Sequence, residues 1–167
     1  MKRASDEAVA SSRAAQTSRG RLRDFSRSLP MSLLRAREAV MGHFRPGLRH
    51  FDLTEQQWRV LRALTTVESI GTMNLASATF LLPPSLSRII RDLEARGLIE
   101  RSSVAEDLRR GMVAISPTGR DLVERAGQHS EAIYAEITRR FGAERLQLLQ
   151  AMLKELEEVL KEPIEPK

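Results

Sequence analysis

The stretch "DLEARGLIERSSVAEDLRRGMVAISPTGRDL", Asp92 to Leu122, limits the fold more than any other part of this chain. An amphipathic helix runs into it and stops at Gly97, which suits a left-handed C-cap. Two short strand-like pieces follow, Leu98 to Ser102 and Gly111 to Ser116, joined by a polar loop with Asp107, Arg109 and Arg110. A long helix starts directly afterwards, capped by Ser116 or Thr118.

The helix before the hairpin, Pro84 to Arg96, has two chemical faces. Leu86, Ile89, Ile90 and Leu93 recur at three- and four-residue spacing and are expected to face inward. Ser85, Ser87, Arg88, Arg91 and Asp92 then face outward. Upstream, "TMNLASATFLL" is a shorter helix with Asn74 as its candidate cap, and Pro83 and Pro84 break the chain before the next one. Short helix, turn and polar-faced helix form a helix-turn-helix, whose second helix enters the DNA major groove. Arg donates two bonds to guanine, and Ser reaches base edges or phosphate. The hairpin is then a wing, and Arg109 or Arg110 at its tip suits the negative potential of a minor groove. The bland alternative is a solvated helix followed by an ordinary hairpin.

The rest of the chain is helical. "SLPMSLLRAREAVMGHFRPGLRHFDL" gathers Leu33, Leu34, Ala36, Val40, Met41, Phe44 and Leu48 into one apolar sector, and Pro46 is expected to kink or split that helix. "LTEQQWRVLRALTTV" opens on Thr54, with Gln57 three residues on, a capping-box spacing. Its buried stripe is Trp58, Leu61 and Leu64 or Thr65. A last helix, "AERLQLLQAMLKELEEVL", follows Gly142. Aromatic residues are only 4% of the chain, so the core is aliphatic and few strands are expected.

The net charge of +5 is unevenly placed. Residues 1 to 28 hold seven Lys/Arg against three Asp/Glu, a balance of +4, and the remainder is nearly neutral. This suggests a basic, disordered arm that either contacts a polyanion or is solvated. The absence of cysteine excludes disulfides and thiolate metal sites. Three scattered histidines lack ligand spacing, so neither metal nor cofactor is expected. There is no long apolar run and no signal-peptide pattern, which gives a cytoplasmic expectation without membrane partners. No nucleophile, acid–base carboxylate pair or phosphate loop argues for an enzyme.

The chain resembles the MarR family of bacterial transcription regulators. "LEARGLIER" and "AEDLRRGMVAISPTGRDL" are similar to that family's recognition-helix end, its Asp-x-Arg wing and the start of its next helix. Asp107 and Arg109 stand at the two wing positions, and Thr118 and Gly119 match the end of the pattern. The resemblance covers roughly residues 30 to 160. It implies a mainly α winged helix-turn-helix with a β-hairpin wing, assembled as a homodimer that places two reading heads on double-stranded operator DNA. The expected divisions are a basic arm at 1–28, a dimerisation and ligand-pocket helix at 29–53 and the winged domain at 54–116. Dimerisation helices at 117–162 and a tail at 163–167 complete them. The DNA contacts expected are Pro84, Ser85, Ser87, Arg88, Arg91, Asp107, Arg109 and Arg110. One departure is the segment Leu82-Pro83-Pro84-Ser85, where the family often has Ser before Pro: the side-chain cap is lost.

Within the family, "LPMSLLRAREAVMGHFRPGLR", "LTEQQWRVLRAL" and "LLPPSLSRI" resemble the subgroup that controls homoprotocatechuate degradation. That implies a repressor of aromatic-acid catabolism genes, released by an aromatic acid, with a hydroxycinnamoyl-CoA thioester as the alternative effector. Arg37 falls within the apolar sector of the first helix, where a charge needs a partner. It is either an ion pair or an anchor for a carboxylate. Met31, Leu34, Met41 and His43 lie along the same helix. Trp58 suits the core first and a ligand wall second. Two further alternatives are a non-specific DNA-binding protein driven by the arm, and a coiled-coil interaction protein built on the last helix.

Overall fold

A computed structural model describes residues 24–103 and 111–164. The chain divides into two units, 1–40 and 41–167. The expected arm falls largely outside the described residues, as do Asp107, Arg109 and Arg110.

In the first unit, a 3-10 turn over Phe25–Arg27 precedes helix α1, Leu29–His50, whose later turns belong to the second unit. Asp24 caps the turn by accepting from the Ser26 N–H at 2.8 Å and its hydroxyl at 2.6 Å. These bonds hold the Asp24 carboxyl below its usual range.

Pro46 does not split α1. A mid-helix proline costs about 3 kcal/mol of propensity. Phe44, Gly47 and Leu48 are buried around it, and packing outweighs the local cost.

The second unit continues with α2, Glu55–Leu64, opened by the expected capping box. The Gln57 N–H donates to Thr54 Oγ1 at 3.2 Å, and the Thr54 N–H donates to Gln57 Oε1 at 2.7 Å. Strand β1, Ile70–Gly71, leads into α3, Thr72–Thr79, and α4, Pro83–Ala95. Strands β2, Ile99–Ser103, and β3, Gly111–Ile115, form the wing. Helices α5, Pro117–Phe141, and α6, Ala143–Val159, end the chain.

Among the described residues the sheet has three strands, not the expected two. Antiparallel β1 pairs Ile70 with Val113 and Gly71 with Met112, giving the order β1-β3-β2. A two-residue strand has no periodicity to read, so only its partner reveals it. Asn74 is not a cap: Gly71 holds that position without a side-chain bond. Helix α3 also ends at Thr79, earlier than expected, because Phe80 turns left-handed at φ 51°. At the start of α5 the cap is Ser116, not Thr118.

The core lies where α2, α3, α4 and the sheet meet. Val60, Leu61, Leu64, Leu75, Leu86, Leu93 and Val113 are almost fully enclosed. Leu122 and Val123 of α5 join them. Arg59 fastens α3 to α2, donating to the Thr79 carbonyl at 2.9 Å and pairing with Glu55 at 3.1 Å. Glu55 also pairs with Arg45 at 3.2 Å.

Candidate nucleic-acid interface and effector cavity

Helix α4 is fixed by the face it buries. Leu86, Ile89, Ile90 and Leu93 are all enclosed, as their spacing implies. The opposite face therefore presents Pro84, Ser87, Arg88 and Arg91 to solvent, with Ser85 half-buried at the edge. Pro84, Arg88 and Arg91 are four and then three residues apart, so they form one stripe along the helix.

Two outward residues are held from the side. The Ser87 hydroxyl donates to the Pro83 carbonyl at 2.9 Å. Asp92 accepts from Gln57 Nε2 at 2.6 Å and pairs with Arg96 at 3.6 Å. Its negative charge is thereby tied toward α2, while Arg88 and Arg91 keep a positive stripe. On the first wing strand, Arg101 is exposed and pairs with Glu94 at 3.6 Å. Sequence reasoning missed this cation because it looked for wing charge only in the loop.

The wing is joined to α4 at its base. Gly97 adopts φ 67°, the left-handed cap expected of it. The buried Ser116 hydroxyl donates to the Gly97 carbonyl at 2.7 Å and accepts from the Gly119 N–H at 3.0 Å. Gly119 packs so closely that a methyl there would lie 2.0 Å from the Leu98 carbonyl oxygen.

A cavity of about 370 Å³ opens beside α5. Ala132, Ile133 and Ile137 give it an apolar wall, and His43, His129, Glu136 and Arg140 line it with polar groups. Hydrogen bonds from Arg139 and Arg140 hold the Glu136 carboxyl down at about 2. The Arg140 charge is therefore already matched by Glu136, and an anionic ligand would compete for it.

Of the six effector residues expected from sequence, His43 lines this cavity. Met41 and Trp58 lie in the same unit but are not among its lining residues. Met31, Leu34 and Arg37 belong to the first unit. Arg37 pairs with Glu38 at 2.7 Å, with its side chain well exposed. Trp58 is partly buried against the core and carries the Arg62 guanidinium at 5.8 Å from its ring centre. This pairing, an arginine four residues after the tryptophan, was legible in the sequence and was missed.

Among the described residues there is no cluster able to hold a metal ion, and no helix is long and apolar enough to cross a membrane.

A family model described as the MarR family matches residues 51–110. The homoprotocatechuate degradative operon repressor of Escherichia coli is 38% identical over 128 residues, covering 77% of this chain and 86% of the repressor. The HTH-type transcriptional regulator FarR of Neisseria gonorrhoeae is 35% identical over 132 residues, covering 79% of this chain and 90% of FarR. The structure of NadR in complex with 4-hydroxyphenylacetate matches with a TM-score of 0.70 at 34% identity, over 82% of this chain and 97% of NadR. The first two are named as a repressor and a transcriptional regulator, not as enzymes.

Proposed function

The chain belongs to the MarR family, and from that premise we propose that it represses aromatic-acid catabolism genes and leaves its operator when an aromatic acid binds. The observation that carries the DNA-reading half is the stripe of Pro84, Arg88 and Arg91. It stands on a helix whose opposite face is locked into the core. Pro84, Ser85, Ser87, Arg88 and Arg91 are the proposed groove contacts. Asp107, Arg109 and Arg110 are the proposed wing contacts.

The effector class rests on the relatives. The E. coli relative is a homoprotocatechuate operon repressor, and NadR binds 4-hydroxyphenylacetate. Both compounds join an aromatic ring to a carboxylate, which needs an apolar wall and a cation. Arg37 is the proposed carboxylate anchor, with Met31 and Leu34 beside it in the first unit; Met41, His43 and Trp58 of the second unit are the other proposed effector residues.

A second copy of the chain completes the regulator. Helix α6 leaves Leu148, Leu149, Met152 and Leu153 exposed on one side, an apolar stripe suited to another copy. Two recognition helices must stand about 34 Å apart to enter successive major grooves. An aromatic acid that binds better to a different separation releases the DNA by that difference in affinity.

The test is binding to a duplex from upstream of the chain's own gene, against a scrambled duplex at fixed salt. Homoprotocatechuate, 4-hydroxyphenylacetate and a hydroxycinnamoyl-CoA are added in turn. Selective binding released by a free acid is the expected result. Release only by the thioester changes the effector class. Equal binding to both duplexes defeats the operator model.

A further inference from the structure

The start of the recognition helix is unusual in its chemistry. Its cap is Leu82, which makes no side-chain hydrogen bond, and Pro83 is its first helical residue. A helix start normally offers free N–H groups that bind phosphate. Here Pro83 and Pro84 bring no N–H. Of the four N–H groups that a helix start leaves free, those of Leu82 and Ser85 remain. The phosphate-binding capacity of this end is much reduced.

Apolar surface stands in its place. Leu82 is 74% exposed, and Pro83 and Pro84 are also exposed. Leu82 and Pro83 border an open groove with Met73 and Phe80. These groups adjoin one another, and contiguous exposed apolar surface marks a contact site where single exposed side chains do not. What covers them follows from position: Pro84 leads the stripe that Arg88 and Arg91 continue. A partner held by those arginines meets the apolar tip as well. DNA presents one apolar group in its major groove, the 5-methyl of thymine. The first residues of a recognition helix are those that reach base edges.

We propose that Leu82 and Pro84 form an apolar reading tip that recognises a thymine methyl in each half-site. This rests on the DNA-reading function above, and sets part of its sequence specificity.

The experiment needs no known operator. The full-length chain selects duplexes from a pool with a randomised centre. The selected duplex is then made with thymine and with deoxyuridine, which keeps every hydrogen-bonding group and lacks only the methyl. The expected result is an enriched A·T pair in each half-site. Replacing thymine by deoxyuridine there weakens binding about fourfold for one half-site and about fifteenfold for both, the scale of one or two buried methyl groups. The Leu82→Ala variant, which leaves Pro84 and its missing N–H in place, then discriminates between the two duplexes much less than the parent, and its salt dependence stays that of the parent because no phosphate contact is lost or gained. Tight selective binding with no enriched thymine overturns the proposal. So does indifference of the parent chain to deoxyuridine, or undiminished discrimination by the variant. Failure to select any sequence defeats the DNA-reading function itself, and this proposal with it.

Discussion

Ser116 donates its hydroxyl proton to the Gly97 carbonyl at 2.7 Å, joining the end of the wing to the cap of the recognition helix. The same oxygen caps α5 by accepting from Gly119. One buried hydroxyl thus ties the end of the wing to both the end of α4 and the start of α5. Ser116→Ala removes both bonds and leaves the Gly97 carbonyl short of a partner. The expected loss is about 1–3 kcal/mol in urea unfolding. DNA affinity is expected to fall as well, because wing and helix lose their common anchor. Unchanged stability in the variant refutes the linking role.

Gly119 is required by space rather than by backbone angle. A methyl at this position meets the Leu98 carbonyl oxygen at 2.0 Å, and backbone cannot swing away as a side-chain tip does. Gly119→Ala is expected to destabilise by more than about 2 kcal/mol, measured by thermal unfolding, despite the better helix propensity of Ala. A rise in Tm shows that the contact relaxes freely.

Phe80 closes α3 in the left-handed region with 83% of its surface exposed. A non-glycine residue pays roughly 1 kcal/mol for that conformation. Phe80→Gly is therefore expected to stabilise by about 0.5–1 kcal/mol, since little packing is lost. Destabilisation in a denaturant titration assigns Phe80 a contact that its exposure conceals.

Glu136 provides a pH signature. Hydrogen bonds from Arg139 and then Arg140 lower its carboxyl to about 2 from an ordinary 4.5. A depressed folded pKa adds stability above the unfolded value and loses it as pH falls from about 4.5 toward about 2. Its NMR titration is expected to be centred near 2, and to move up in an Arg139→Ala/Arg140→Ala variant. An ordinary midpoint in the parent rules out the pairing in solution.

Arg88 and Arg91 carry the positive charge of the proposed reading stripe. Replacing Arg88 with Ala is expected to cost about 1–3 kcal/mol on the selected site if it reads a base, and to relax the preference at that position. If it meets phosphate instead, binding weakens on all sequences and the salt slope falls by about 1. Fluorescence anisotropy at several salt concentrations separates these outcomes. No change in either quantity removes Arg88 from the interface.

The helices were legible in the sequence because their signals are local. Thr54 and Gln57 are a capping box three residues apart, and Leu86, Ile89, Ile90 and Leu93 declare a buried face by period alone. Gly97 announces its own backbone angle. The solvent-exposed face of α4 followed as whatever those residues left outside.

What depended on partners distant in sequence was not legible. Strand β1 exists because Val113 and Met112 pair with Ile70 and Gly71. Pro46 stays within α1 because buried neighbours outweigh its local cost. The Ser116 hydroxyl that caps α5 also reaches the Gly97 carbonyl nineteen residues away, a bond no local signal announces. The cavity beside α5 joins His43 to residues more than eighty positions later. Local periodicity determines which elements form and which faces they bury. Only tertiary packing decides which short segments find a strand, which hydroxyl caps a helix, and which polar groups share a cavity, because each of those depends on contacts that no short window of sequence contains.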